Sequence, residues 1–243
     1  GCAVGVLART GSEVEETAAA IIEGGGAARA FVADVLEPAA LDRSVGRFQE
    51  WAGRIDALIC AAGRLRGIGP IGAVDPESWW LDLETSVRGA AWTIRAALPA
   101  LRQSDGASIA LLIGPGYNGE LAHASGYGAA QAALVRLAES LDHEFQGVGI
   151  RVYAVHPGLV PTALIRHLLE SPEGRRWLPR FTEAFSEGRE VGPEPVAEMV
   201  AWLVRRRPRE LSGRVVSALL APEVLETRLA RIEAEDLGRL RLR

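Results

Sequence analysis

The stretch Ile55-Asp56-Ala57-Leu58-Ile59-Cys60-Ala61-Ala62-Gly63 decides how this chain folds. Its aliphatic run, Asp56 to Cys60, is too short for a helix and ends in small residues and glycine, so it predicts a strand that stops at a tight loop. The same grammar extends in both directions. Ala3 to Leu7, Ala28 to Ala33, Ser108 to Ile113, Ile150 to Val155 and Arg214 to Ala218 predict further strands. Longer amphipathic stretches lie between them: Val14 to Glu23, Pro38 to Trp51, Glu77 to Leu101, Gly126 to Phe145, a pair within Thr162 to Ser186, and Pro193 to Val204. Strands alternating with helices make an α/β fold, a doubly wound parallel sheet in three layers and a single domain. Ligands of such sheets bind at the carboxyl ends of the strands, so the loops there are the place to look.

Composition narrows the function. The 243 residues suit one large domain. All 27 basic residues are arginine and they face 31 acidic ones, for a net charge of −4, which favours neither nucleic acid nor an acidic membrane surface. Cys2 and Cys60 lie apart in apolar stretches, so no metal site is expected and a reducing cytoplasm is. No apolar run reaches the roughly 18 residues of a membrane span. The final segment, Glu223 to Arg243, reads as a charged helix followed by a Leu/Arg alternation: a carboxy-terminal arm packed on a neighbour, or a solvated tail.

Several segments together resemble the short-chain dehydrogenase/reductase family, over Ala3 to about Leu220. Ile55 to Gly63 is similar to the family's central strand ending in Asn-Asn-Ala-Gly, and Ala33-Asp34-Val35 to its adenine-side aspartate. Trp79 to Gly89 resembles the helix that carries its structural asparagine. Tyr127-Gly128-Ala129-Ala130-Gln131 and His156-Pro157-Gly158-Leu159-Val160-Pro161-Thr162 complete the series. The resemblance implies a Rossmann-like fold, NAD(P)-dependent interconversion of a hydroxyl and a carbonyl on a small apolar molecule, and a homodimer or homotetramer formed through the helices at Glu77 to Leu101 and Gly126 to Phe145.

It also implies a catalytic site, from which this chain departs. Tyr127 takes the place of the family's proton-transferring tyrosine, but Gln131 stands where a lysine belongs. A free tyrosine has a pKa near 10, and a neighbouring ammonium lowers it by about 1 to 3 units. Glutamine keeps a hydrogen bond to ribose within reach but supplies no charge. Gly114 occupies the serine position, and losing that donor costs about 2.7 to 4 kcal/mol in the transition state. Tyr117, Asn118 or His123, from the same loop, are the candidate substitutes. Ser86 occupies the asparagine position. The expected result is a degenerate site with one working residue, and the alternative is a non-catalytic family member that acts as a binding or oligomer partner.

The family's cofactor positions map onto Arg9, Asp34, Val35, Ala61, Ala62, Gly63, Pro157, Gly158, Val160 and Thr162. Arg9 could hold a 2′-phosphate, which favours NADP slightly over NAD. The family's first strand, glycine-rich loop and first helix have no counterpart here, and with Gly1 in place of an initiating methionine the chain is expected to be part of a longer protein. Gly63-Arg64-Leu65-Arg66-Gly67-Ile68-Gly69 spells the glycine motif, but Pro70 follows it instead of a helix, so it is read as a decoy. The segment Thr162 to Glu190, with Trp177, Phe181, Phe185, Arg175, Arg176 and Arg180, is expected to be either an apolar lid with a basic rim or ordinary core.

Overall fold

The computed structural model describes residues 1–241. Among the described residues six strands run parallel to their partners: β1 (Ala3–Ala8), β2 (Ala27–Val32), β3 (Ala57–Cys60), β4 (Ala107–Leu112), β5 (Ile150–His156) and β6 (Arg214–Ser217). Helices α1 (Gly11–Glu23), α2 (Pro38–Ala52), α3 (Pro76–Leu101) and α4 (Ser125–Glu144) connect the first five strands. After β5 come α5 (Ala163–Glu170), α6 (Pro172–Trp177), α7 (Pro179–Ser186) and α8 (Glu194–Arg206). After β6 come α9 (Pro222–Glu226) and α10 (Leu229–Ala234).

Side-chain alternation along β4 and β5 builds the layers. Ile109, Leu111, Val152 and Ala154 point into one core with Ile94 and Ala97 of α3 and Leu134, Val135 and Ala138 of α4. Ala110, Tyr153 and Val155 point the other way, onto Met199 and Leu203 of α8. Burial on both faces explains why these strands read as unbroken apolar runs. The longest helix, α3, starts where Asp75 accepts the Ser78 amide at 2.8 Å and Pro76 fits the first turn.

One detail differs from the sequence reading. The region Thr162 to Ser186 holds three helices in place of two, because Ser171 and Pro172 end one and begin the next and Pro179 starts a third. The carboxy-terminal segment makes contacts within its own chain. Its Leu225 and Leu229 are buried against α8 and β6 in this same chain, and the Leu240 amide donates to Glu139 at 2.9 Å. Leu242 and Arg243, the end of the expected arm, lie outside the described residues.

The sheet comes in two pieces, β1 with β2 and β3-β4-β5-β6. Among the described residues nothing pairs the free edges of β1 and β3. Ile59, at the β3 edge, is 44% exposed.

Candidate active site

Strand β4 delivers Gly114 just past its carboxyl end, and α4 delivers Tyr127 and Gln131 one helical turn apart on its buried face. The three meet. A β-carbon on Gly114 would fall 2.1 Å from the Tyr127 hydroxyl oxygen, so the phenol occupies the volume that any side chain at 114 would need. Gln131, only 3% exposed, accepts the Gly114 amide through Oε1 at 2.8 Å. Its carbonyl oxygen is therefore turned toward β4, and accepting a hydrogen bond from ribose there would compete with that contact.

Burial pushes the Tyr127 hydroxyl up to about 12, and the nearby Asp82 carboxylate adds to the shift. An ammonium would do the reverse. Tyr127 belongs to one buried cluster with Leu65, Leu121, Leu168, Leu178 and Phe181, which joins it to the segment after β5. Of the two readings of that segment, core packing describes Phe181, while Arg180 lies over its ring at 5.3 Å.

Asp82 was not singled out by sequence, yet it organises the loop after β3. Its carboxylate, fully buried, accepts the Arg66 amide at 2.9 Å, the Gly67 amide at 2.7 Å and the Arg64 guanidinium. Desolvation raises its pKa, opposed by those donors. These amides belong to the decoy glycine motif, so the one loop that spells a phosphate cradle already holds an internal anion. A β-carbon at Gly67 would also meet the Trp79 α-carbon at 2.7 Å, so the glycine is there for close packing. An aspartate three residues after Trp79 on the buried face of α3 was the available signal. Ser86, on the same face, donates to the Asp82 carbonyl at 3.1 Å.

The cofactor positions divide into two groups. Arg9 and Asp34 approach at 3.6 Å at the ends of β1 and β2, and Ala61, Ala62 and Gly63 are exposed beyond β3. Val35 packs on α3 at Gly89. Beyond β5, Pro157, Gly158 and Val160 are half-buried, and the Thr162 hydroxyl caps α5 by accepting the Ile165 amide at 3.4 Å. Both groups sit at carboxyl ends of strands and suit the two ends of a dinucleotide. Among the described residues no glycine-rich turn between a strand and a helix is free to take its diphosphate.

His156, the last residue of β5, emerges as a further site residue. Its ring tilts against Tyr117 at 5.4 Å, burial lowers its pKa, and it lines a cavity of about 710 Å³ with Asn118 and Arg180. Its place at a strand's carboxyl end, before Pro157-Gly158, was the signal. Tyr117 and Asn118 thus face a cavity, whereas His123 tilts against Trp177 at 4.6 Å.

Comparison with known proteins agrees with this fold. The family model described as enoyl-(acyl carrier protein) reductase matches residues 1–218. A short chain dehydrogenase of Monascus purpureus is 28% identical over 185 residues, 76% of this chain and 59% of that protein, so the chain spans less than two thirds of this relative. The inactive 2-(S)-hydroxypropyl-CoM dehydrogenase 2 of Xanthobacter autotrophicus is 30% identical over 222 residues, covering 88% of this chain and 92% of the relative. Among solved structures, a 3-ketoacyl-ACP reductase from Sinorhizobium meliloti superimposes with a TM-score of 0.75 at 30% identity, over 88% of this chain and 87% of that one.

Proposed function

Because the chain belongs to the short-chain dehydrogenase/reductase family of oxidoreductases, we propose that it is a member that keeps the family's ligand-binding frame without its proton-transfer chemistry. The observation that carries this is the lodging of the Tyr127 hydroxyl in the space above Gly114, with Gln131 bonded to the Gly114 amide. A proton-transferring tyrosine must reach substrate oxygen and hold a pKa near the working pH. Tyr127 is buried and pushed up to about 12, with the neutral Gln131 where the family has a cation and the Asp82 carboxylate adding to the shift. A relative at 30% identity that itself carries the designation inactive supports the reading.

The cofactor class is nicotinamide dinucleotide, held by Arg9 and Asp34 at the adenosine end and by the Pro157 to Thr162 loop at the other. Bound, it would supply hydride transfer. The Arg9 guanidinium favours the 2′-phosphate form. A small-molecule ligand and self-pairing through α3 and α4 are carried by family resemblance, and a cytoplasmic location by the two free cysteines.

One observation favours a second reading, slow carbonyl reduction. With its pKa near 12, Tyr127 is a neutral phenol at pH 7 and so retains the proton a reduction requires. Titrating NADPH and NADH while following carbonyl consumption separates the two. Binding without turnover is the expected result, and turnover abolished by Tyr127→Phe would establish the reductase instead.

A further inference from the structure

A second cavity, of about 580 Å³, lies between the carboxy-terminal segment and the sheet, away from Tyr127. Val135, Leu225, Ile232 and Leu240 form an aliphatic wall. Its size falls within the roughly 300 to 1,000 Å³ of small-molecule sites. A polar ligand body would shed its hydration there and find few partners. An aliphatic one would gain from burial.

Three arginines line the same cavity: Arg228, Arg231 and Arg239. Two already hold carboxylates, Arg231 with Glu235 at 2.9 Å and Arg239 with Asp236 at 3.0 Å. Arg228 is exposed and, among the described residues, has no carboxylate partner. An apolar chamber with an uncommitted guanidinium specifies the missing group by charge. A carboxylate is the complementary head, since its two oxygens match the guanidinium fork.

We propose that this cavity binds an amphipathic monocarboxylate, with its aliphatic chain against Leu225 and Ile232 and its carboxylate on Arg228. Tyr117 and Asn118 line both this chamber and the one beside His156, so an occupant would touch the wall of the other cavity. The site does not depend on whether Tyr127 is catalytic.

Calorimetric titration of the full chain with sodium decanoate tests it, with decanol and decyltrimethylammonium as neutral and cationic counterparts. Saturable one-site binding of decanoate is expected, weakened about tenfold or more by Arg228→Glu because a charged hydrogen-bonded pair becomes a repulsion. Ile232→Trp should fill the chamber and abolish binding. Should that variant fold poorly, Leu237→Trp, at a 42% exposed lining position, replaces it. No saturable heat with decanoate, equal affinity for the three compounds, or indifference to Arg228→Glu would each overturn the proposal.

Discussion

The hydroxyl of Tyr127 and the α-carbon of Gly114 share one small volume: a β-carbon on residue 114 would lie 2.1 Å from that oxygen. The absence of a side chain at 114 and the position of the phenol are therefore a single structural fact. Replacing the glycine by the family's serine should not by itself rebuild a site, because the new side chain must first displace the ring from its packing with Leu121, Leu168 and Phe181. Gly114→Ser is expected to destabilise by about 1 to 3 kcal/mol, the usual effect of overpacking, and to lower Tm by several degrees. Adding Tyr127→Phe, which removes the clashing oxygen, should recover part of that loss in a double-mutant cycle. Additive losses would show that the two groups do not compete.

Tyrosine ionisation gives a second test. Burial raises all three tyrosines, with Tyr117 and Tyr153 shifted upward and Tyr127 reaching about 12. For a group whose folded pKa exceeds its unfolded value of about 10, the stabilisation is complete below pH 10 and is lost as pH rises toward 12. Native protein should thus show little tyrosinate absorbance at pH 10, and Tyr127→Phe should flatten the fall in stability between pH 10 and 12. A native tyrosinate step for Tyr127 below pH 10 would contradict the buried, cation-free environment.

The buried carboxylate of Asp82 supports a third. Its partners are the Arg64 guanidinium and the amides of Arg66 and Gly67, so Arg64→Ala leaves a buried charge held by backbone alone. A loss of about 3 to 5 kcal/mol is expected. Replacing both Arg64 and Asp82 by leucine should cost less than the single change, since no charge is then stranded. Denaturant unfolding of the two variants checks the order.

Glu139 offers a fourth. It is 8% exposed and accepts from the Leu240 amide at 2.9 Å and from Arg241 at 3.3 Å, besides pairing with Arg136. Glu139→Ala should release the end of the carboxy-terminal segment, seen as faster amide exchange at Leu240 with the exchange of β4 and β5 unchanged. Unaltered exchange at Leu240 would show that the apolar contacts of Leu225 and Leu229 hold the segment without it.

The layered fold was legible because β4 and β5 are buried on both faces and α3 and α4 carry long periodic stripes. Tyr127, Gly114 and Gln131 were also named as a set, through the family resemblance that assigns roles to those positions. Their arrangement was not: the Gln131 to Gly114 hydrogen bond joins groups 17 residues apart, and no local pattern encodes it. Asp82 escaped for a related reason, since a carboxylate inside a helix usually faces solvent and only the three-dimensional path of the Arg64 to Gly67 loop brings donors to it. The intrachain contacts of the carboxy-terminal segment were not legible because its charges suggested a partner or solvent, whereas Arg214 and Arg241 hold Asp236 at 2.9 and 2.8 Å within the same chain.

The last test concerns Gln131. Changing it to lysine removes the acceptor of the Gly114 amide and places an ammonium at a position only 3% exposed, so Gln131→Lys alone should destabilise. The same ammonium would oppose the effect of Asp82 and draw the Tyr127 pKa down by about 1 to 3 units from about 12. Gly114→Ser together with Gln131→Lys acts on both: the serine pushes the phenol outward while the lysine restores its charge partner. If the chemistry alone is missing, the pair should bind NADPH and reduce a carbonyl where neither single variant does. If the pair binds NADPH, shows the lowered tyrosine pKa and still turns nothing over, the buried cluster of Tyr127 with Leu178 and Phe181 is what withholds substrate, and Phe181→Ala added to the pair should then release activity.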